Sequence, residues 1–434
     1  MQLLPSGHVP YSVSFHVSWA EGSTLGQTEE VEGRVLSLTT ILRSGHWPSL
    51  VAAWLHFEVS FMVWLLLGAM GVMIADEFQL SATQKGVLLA TPLLSGALLR
   101  IPVGLSSDRF GAKRTGLLVL ACELVGLAWG WLGASSFAEL LLMGLLLGVA
   151  GASFAVALPI AGHAYPPAHQ GFALGVAASA NSGVVLSMWV APRVALMGGW
   201  HAAMAWMILP VVLTVATFMM AVPSDTLPNT PPPSRHQTIW REFLADVRRE
   251  AALPWLCAMY AITFGGFVGF SSALPMLLHD QYAVDMVMAG SITAICGLSG
   301  AVLRPLGGYV ADRLGGLMVL PIVLGGLAIF LSFIGAVPPL PLAVGVSCAA
   351  IALMGFGNGV VFKVVADHFP KQIGIGSGVV GAAGAGGGML FPLLLGSFKD
   401  LSGTYAFAFW LFAVCSCLVA LMAMRMRRRS EGAR

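Results

Sequence analysis

Charged residues are scarce in this sequence. Lysine, arginine, aspartate and glutamate make up only 10% of its 434 residues, while hydrophobic residues make up 57%. A soluble domain carries about 25% charged residues, so the composition excludes an ordinary soluble protein. The mean hydropathy of +0.84 indicates a chain that crosses a membrane many times. The net charge of +2 gives no indication of nucleic-acid binding, and we expect no nucleic-acid partner.

Cysteine is also rare, and its spacing fits neither a disulfide framework nor a zinc site. The cysteines lie in apolar segments and form no Cys-x-x-Cys motif; they are Cys122, Cys257, Cys296, Cys348, Cys415 and Cys417. The apolar segments contain no nucleophile–base pair, metal-ligand set or paired haem histidines. We therefore expect neither an enzyme nor a protein that holds a metal or another cofactor.

No secretory signal is visible at the start of the chain. Residues 1–18 have neither the basic n-region nor the apolar h-region that a signal peptide needs. Residues 1–45 are of mixed polarity, with Glu29, Glu30 and Glu32, and show no sustained period. We predict that these residues are either a disordered cytoplasmic extension or the product of an upstream start codon, and that they carry no function.

Twelve apolar runs are long enough, at ~20 residues each, to cross a bilayer as helices. They lie at 49–75, 84–104, 116–134, 138–162, 171–195, 201–222, 253–278, 286–307, 317–336, 341–365, 373–397 and 404–424. The fold class predicted is an all-α membrane protein with twelve transmembrane helices in two pseudo-symmetric six-helix bundles. The predicted bundles cover 46–222 and 253–424, with a linker at 223–252 and a basic tail at 425–434.

The basic residues predict the orientation of these helices. Cytoplasmic loops carry an excess of lysine and arginine. With both termini inside, the external side holds only Lys85, Arg193 and Lys399. The loops and tail of the internal side hold Arg109, Lys113, Arg114, Arg235, Arg241, Arg248, Arg249, Arg313, Lys371, Arg425, Arg427, Arg428, Arg429 and Arg434. Both termini are therefore predicted to be cytoplasmic.

One stretch of sequence occurs twice. SGALLRIPVGLSSDRFG, residues 95–111, aligns without a gap with SGAVLRPLGGYVADRLG, residues 299–315. Arg100 and Arg304 occupy equivalent positions in the two copies, each near the end of an apolar run. A guanidinium at the centre of a bilayer costs at least ~2.5–3.5 kcal/mol. A cation that is kept at both positions therefore predicts a functional site, and its natural ligand is an anion.

The two copies end in charged turns, which we call the Asp-Arg turns (residues 104–114 and 308–316). The first, GLSSDRFGAKR, resembles the Gly-x-x-x-Asp-Arg-x-Gly-x-Arg-Arg signature of the major facilitator superfamily, whose transporters consist of two six-helix halves. The resemblance implies that these turns latch the cytoplasmic side of the carrier in its outward-open state. The implied latch residues are Gly104, Asp108, Arg109, Gly111, Asp312 and Arg313.

Three further segments narrow the resemblance. They are GVAASANSGVVLSMWVAPR at 175–193, GFGNGVVFKVVADHFP at 355–370 and GSGVVGAAGAGGGMLFP at 376–392. Such glycine-rich fifth and eleventh helices closely resemble the nitrate/nitrite porter family, and residues 45–424 are most similar to its bacterial assimilatory branch. The signature glycines are Gly175, Gly183, Gly381, Gly384, Gly386 and Gly387. The resemblance implies secondary active transport of nitrate and nitrite across the inner membrane by alternating access, for nitrate assimilation.

The resemblance also implies a substrate site. Its residues would be Arg100, Arg304, Asn181, Phe154, Tyr260 and Phe264, of which the two arginines clamp the anion. The chain departs from the family's glycine pattern at Ala180 and Ala385, which are both small. The chemistry agrees, because nitrate is planar and a guanidinium can donate two parallel hydrogen bonds to such an ion.

The sequence is consistent with two transport mechanisms. Two unpaired arginines would repel each other in an empty, closing cavity, which favours nitrate/nitrite exchange. Glu58, in the first apolar run, would instead allow proton-coupled symport. A carrier for another small anion and a nitrate sensor that does not transport are alternative functions. We expect a monomer. Glu123 is predicted to form a structural pair.

Overall fold

The computed structural model of this chain describes residues 42, 44–166, 169–224, 252–369 and 373–432. These residues are helical apart from short turns, and no β-strand occurs among them. The predicted all-α class is therefore confirmed. Most of the predicted N-terminal extension and of the predicted linker lies outside the described residues, and the predicted domain boundaries stay a prediction.

The first half of the molecule contains spans one to six. Its helices are Trp47–Trp64 with Leu66–Glu77 (span one), Ala82–Phe110 (span two), Ala112–Leu132 (span three), Phe137–Gly148 with Phe154–His163 (span four), and Gln170–Ala178 followed by Gly183–Ala221 (spans five and six). Short 3-10 turns, Val149–Ala152 and Ser179–Ser182, lie within spans four and five.

The second half contains spans seven to twelve. Its helices are Leu253–Tyr260 with Gly266–Tyr282 (span seven), Met286–Leu314 (span eight), Gly316–Gly335 (span nine), Leu340–His368 (span ten), Ile373–Ser402 (span eleven) and Ala406–Gly432 (span twelve). A π-helical turn, Ala261–Gly265, joins the two pieces of span seven.

Eleven helices of the described residues are long and apolar enough to cross a membrane, and one of them contains two spans. Gln170–Ala221 has 52 residues, or ~80 Å of helix, whereas the hydrocarbon core is only about 30 Å thick. Its backbone leaves the helical conformation at Gly198 and Gly199, and Gly199 has a φ of 74° that favours glycine. Spans five and six meet there, which gives the twelve spans predicted.

Spans two and eight repeat each other in structure as well as in sequence. Ala82–Phe110 and Met286–Leu314 each have 29 residues, and both their first and their last residues are 204 positions apart. Each span ends at a glycine with positive φ, at 93° for Gly111 and 86° for Gly315. Arg100 and Arg304 therefore lie at the same level of two equivalent helices.

The two halves touch on the face opposite the Asp-Arg turns. A β-carbon on Gly396 of span eleven would overlap the carbonyl oxygen of Ala82 in span two. A β-carbon on Gly290 of span eight would lie 2.5 Å from the carbonyl oxygen of Met188 in span five. Glycine lets helix backbones approach this closely in a membrane. The two halves are therefore packed together on this face.

Candidate functional site

Arg100 lies between the two halves of the molecule. Its side chain is buried, with 4% exposed, and its guanidinium donates to backbone carbonyls on both sides. Nε and Nη2 donate to the carbonyl oxygen of Gly151 in span four, at 3.3 and 2.7 Å. Nη1 donates to the carbonyl oxygen of Gly381 in span eleven, at 2.7 Å. The cation is held by peptide dipoles from both halves of the molecule.

Three aromatic rings surround this guanidinium. Its central carbon Cζ lies 5.9 Å from the ring centre of Trp64, 5.5 Å from that of Phe154 and 5.6 Å from that of Phe264. At these distances a ring face attracts a cation. Trp64 and Phe154 belong to the first half and Phe264 belongs to the second. The rings around Arg100 therefore come from both halves of the molecule.

Arg304 has a matching aromatic neighbour that the sequence did not identify. Its Cζ lies 5.5 Å from the ring centre of Phe362 in span ten. Its Nη1 atom is buried and has no hydrogen-bond partner among the described residues. Phe362 in turn lies 6.0 Å from Phe154 and 5.1 Å from Tyr260, centre to centre. A line of touching rings therefore connects the two arginines.

Tyr260 and Phe264 form one wall of this cluster. Their rings stack with centres 4.9 Å apart and planes at 2° to each other. Stacking needs both side chains on one helix face, as their spacing of four residues predicted. A flat apolar wall beside two guanidinium groups suits a planar anion.

Asn181 lies in the 3-10 turn of span five. The side chain is buried, and its Oδ1 atom has no partner among the described residues. The neighbouring hydroxyl of Ser182 donates to Glu58 Oε2 at 2.8 Å. Asn181 Oδ1 therefore forms no hydrogen bond with either arginine among the described residues, and the predicted role of Asn181 in substrate binding stays a prediction.

The signature glycines are explained by what they touch. A β-carbon on Gly384 would overlap the ring of Tyr260, and one on Gly183 would overlap the carbonyl oxygen of Glu58. One on Gly387 would lie 2.6 Å from the carbonyl oxygen of Ala261. Gly175, in contrast, faces open space. Most of the signature therefore lets spans five and eleven pack directly against site-bearing helices.

The remaining glycines and the two departures fit the same account. A β-carbon on Gly381 would lie 3.2 Å from Arg100 Nη1, and one on Gly386 would lie 4.0 Å from Ala97. Ala180 and Ala385 are fully buried members of the hydrophobic core. The small size of alanine is sufficient at both positions.

The four charged residues predicted as the latch form no ion pair between the halves among the described residues. Asp108, Arg109, Asp312 and Arg313 are all exposed. Asp312 forms an ion pair of 3.5 Å with Lys363 of its own half. Their latch role belongs to a state that is closed on this face, and it stays a prediction.

Two polar pairs lie outside the arginine cluster. The hydroxyl of Ser60 donates to Glu123 Oε1 at 2.6 Å, and both residues are fully buried. This is the structural pair that was predicted for Glu123. Lys363 also bonds to Asp367, four residues along the same helix. Packing of spans one and three brings Ser60 to Glu123, whereas Lys363 and Asp367 meet because they are about one helical turn apart.

Two residues of the cluster were missed by the sequence prediction. Trp64 carried a usable signal, because tryptophan in membrane proteins is enriched at the interfaces and this one lies in the middle of an apolar run. Its Nε1 donates to the carbonyl oxygen of Pro92 at 2.9 Å. Phe362 had no such signal, since phenylalanine is common in apolar helices.

Known proteins resemble this chain over most of its length. The family model described as Major Facilitator Superfamily matches residues 52–363. The chain is 36% identical over 331 residues to "Probable nitrate/nitrite transporter NarK2" of Mycobacterium tuberculosis (strain ATCC 25618 / H37Rv), covering 74% of this chain and 80% of that protein.

Two further relatives come from other bacteria. "Nitrite extrusion protein" of Bacillus subtilis (strain 168) is 30% identical over 359 residues, which are 82% of this chain and 88% of that protein. "Probable nitrate/nitrite antiporter NarK1" of Thermus thermophilus is 28% identical over 345 residues, which are 73% of this chain and 77% of that protein. These relatives match both halves of the chain.

Proposed function

Because the chain belongs to the Major Facilitator Superfamily, we propose that it is a secondary transporter that carries nitrate and nitrite by alternating access. Relatives that cover most of the chain bear the names of nitrate/nitrite transporters, antiporters and a nitrite extrusion protein. The protein is a carrier and not an enzyme. In this assignment the substrate site is the cluster around Arg100 and Arg304.

The observation that carries the proposal is the environment of Arg100. The guanidinium is buried, and its hydrogen bonds go to the backbone carbonyls of Gly151 and Gly381. Carbonyl dipoles stabilise a cation without neutralising it, so a full positive charge remains in a dry site. An anion removes that cost, which is large for a charge away from water.

Nitrate and nitrite fit the shape of this site. Both ions are planar and carry a single charge spread over their oxygens. The guanidinium groups of Arg100 and Arg304 can each donate in-plane hydrogen bonds to oxygens of such an ion. The stacked rings of Tyr260 and Phe264 offer a flat face to a planar ion, whereas sulfate and phosphate have oxygens out of any one plane. The cluster therefore favours a flat monovalent oxyanion.

Exchange is the transport mode that this arrangement favours. In an empty carrier the two arginines repel each other, and moving the halves together brings both charges into a narrower, drier space. A bound anion offsets that repulsion, so the loaded carrier reorients more easily than the empty one. Nitrate entering on one side would then need nitrite, or another nitrate, to return.

The test is counterflow of labelled nitrate in proteoliposomes. Arg100→Lys and Arg304→Lys each keep the charge and lose the planar fork, and we expect each to reduce counterflow to the level of empty liposomes. Arg425→Lys, on the exposed tail helix, is the matched control and should transport normally. Wild-type counterflow in both site variants would disprove the clamp. Competition by a panel of anions separates nitrate from another small anion, and the absence of any counterflow would indicate a sensor.

Proton-coupled symport is the second candidate, and Glu58 is the observation in its favour. This carboxyl group is buried, with 4% exposed, and it accepts a hydrogen bond from Ser182 beside Asn181 of the signature helix. Nitrate uptake into nitrite-free vesicles under an inward proton gradient tests it. Symport requires uptake that depends on the gradient and is lost in Glu58→Gln. Uptake that is independent of the proton gradient and requires nitrite inside the vesicles would exclude symport and support exchange.

We further propose that the protein lies in the bacterial inner membrane with both termini in the cytoplasm. The Asp-Arg turns and the basic tail would then face inward, as the excess of basic residues favours. A reporter fused after residue 434 that is active only in the cytoplasm would test this orientation. We also propose that the protein takes up nitrate for assimilation. Growth on nitrate as the sole nitrogen source would test this role.

A further inference from the structure

Two of the three basic residues assigned to the external face, Lys85 and Arg193, lie where the two halves of the carrier meet. Lys85 at the start of span two forms an ion pair of 3.2 Å with Asp280 of span seven. Arg193 of span five donates through Nη2 to the hydroxyl of Ser291 in span eight, at 2.9 Å. Both contacts cross from the first half to the second. Lysine and arginine are usually concentrated on the cytoplasmic side. The position of these two cations on the external side therefore needs a separate explanation, and their contacts between the halves supply one.

Asp280 is the centre of the external cluster. It accepts hydrogen bonds from Lys85 Nζ through both carboxylate oxygens, each at 3.2 Å. The phenol of Tyr405 donates to Oδ2 at 2.8 Å, and His279 Nδ1 lies 3.2 Å from Oδ1. Tyr405 and His279 belong to the same half as Asp280, and they aim its carboxylate at Lys85.

A second carboxylate holds the same helix end. Asp400 of span eleven accepts the backbone N–H groups of Ala82 and Thr83, at 3.1 and 2.8 Å. These N–H groups lie in the first turn of span two, where a helix has free donors and a positive dipole end. Lys85, which pairs with Asp280, follows directly after them. The start of span two is therefore bound by two carboxylates of the other half.

Close backbone packing surrounds the ion pair. A β-carbon on Gly86, the residue after Lys85, would overlap the carbonyl oxygen of Pro392 in span eleven. The side chains of Lys85 and Asp280 are only 16% and 14% exposed. The pair is thus partly shielded from water, and a shielded ion pair is stronger than one on an open surface. The remaining exposure lets water replace the contact when the pair separates in a transport cycle.

We propose that Lys85 and Asp280 form the latch of the external gate. The pair holds spans two and seven together while the carrier is closed to the outside, and it separates when the external side opens. Asp400 supports the latch by capping span two, and Tyr405 is a positioning residue that orients Asp280. This latch is distinct from the Asp-Arg turns, which lie on the other face of the membrane.

The test measures the gate directly, without substrate. Spin labels at Leu132 and Leu342, which are exposed at the external ends of spans three and ten, report the separation of the halves after the native cysteines are replaced. Lys85→Met keeps the apolar stem of the side chain and removes the charge. We expect the ratio of long to short distances to rise by about tenfold, the effect of losing one charged hydrogen bond.

The controls make the result specific to the pair. Asp280→Asn should open the gate in the same way, and the double variant should open it no further than the larger single change, because the two residues act through one bond. Lys399→Met removes a nearby external cation, 5.0 Å over the ring of Tyr405, and should leave the distances unchanged.

Two results would overturn the latch: an unchanged distance distribution in Lys85→Met, or fully additive effects of the two single changes. If Asp280→Asn fails to fold, as its melting temperature would show, Lys85→Met and Lys399→Met still decide between the outcomes. The distances need no nitrate, so the latch can fail while the proposed transport function stands, and the reverse is equally possible.

Discussion

The guanidinium of Arg100 donates a hydrogen bond to the carbonyl oxygen of Gly381, which lies 2.7 Å away in the other half of the molecule. It also donates to Gly151 of its own half, at 2.7 Å. The bond to Gly381 has to break when the halves move apart. We propose that an anion bound at Nη1 competes with Gly381 for this nitrogen. Anion binding and release of one contact between the halves would then be coupled at a single group.

Gly381→Ala tests this coupling. The added β-carbon would lie 3.2 Å from Arg100 Nη1 and 3.4 Å from its Cδ, which is tight enough to displace the guanidinium. We expect a several-fold rise in the KM for nitrate counterflow with little change in expression. Gly386→Ala on the same helix meets its nearest neighbour, Ala97, at 4.0 Å and should behave as wild type. Equal KM values in the two variants would argue against the contact.

Gly359→Ala should damage the site through the backbone. A β-carbon on Gly359 of span ten would overlap the carbonyl oxygen of Arg304, so spans eight and ten would have to separate at the level of the second arginine. Overpacking costs ~1–3 kcal/mol even among side chains, and backbone yields less easily. We expect lower thermal stability and loss of counterflow. Gly345→Ala on the same span faces open space and should retain both properties.

Phe362→Leu tests the ring that faces Arg304. Leucine fills much of the same volume and removes the ring face 5.5 Å from the guanidinium. A cation–π contact contributes ~0.5–1 kcal/mol or more, so we expect the KM for nitrate to rise by about threefold to tenfold. Counterflow over a range of nitrate concentrations measures it. Phe333→Leu, at an exposed position of span nine, supplies the comparison, and a similar KM in both would exclude a role for Phe362.

Ser60→Ala should reduce stability rather than transport specificity. It removes the hydroxyl that donates to Glu123 at 2.6 Å and leaves both oxygens of a fully buried carboxyl group without a partner among the described residues. An unsatisfied buried polar group costs ~1–3 kcal/mol. Thermal unfolding in detergent should show a lower midpoint, with the anion preference of residual counterflow unchanged. Ser332→Ala removes an exposed hydroxyl bonded to its own helix and should leave the midpoint in place.

Spans two and eight show how far local sequence predicts the structure. Their shared residues predicted that Arg100 and Arg304 are equivalent, and the helices do begin and end 204 positions apart. Gly111 and Gly315 end these helices with positive φ, a conformation that the sequence signals through glycine itself. Structural features that depend on one segment of the chain could therefore be predicted from the sequence of that segment.

The aromatic cluster shows where such prediction stops. Phe362 joins Tyr260 and Phe154 only because spans four, seven and ten converge, and its own segment has no special spacing. The sequence identified Gly384 as part of a glycine-rich helix. The need for glycine at this position comes from the ring of Tyr260, which is a contact between spans seven and eleven. Contacts between helices depend on packing that no single segment specifies.

By itself the sequence determined the membrane class, the twelve spans and the doubled arginine, because hydropathy and repetition are properties of the chain in order. Only the tertiary structure decided which face of the carrier is closed. It also decided that Lys85 meets Asp280, 195 residues further along the chain. The physical reason is that an ion pair needs two side chains within a few ångströms, and that distance is set by how the two halves pack.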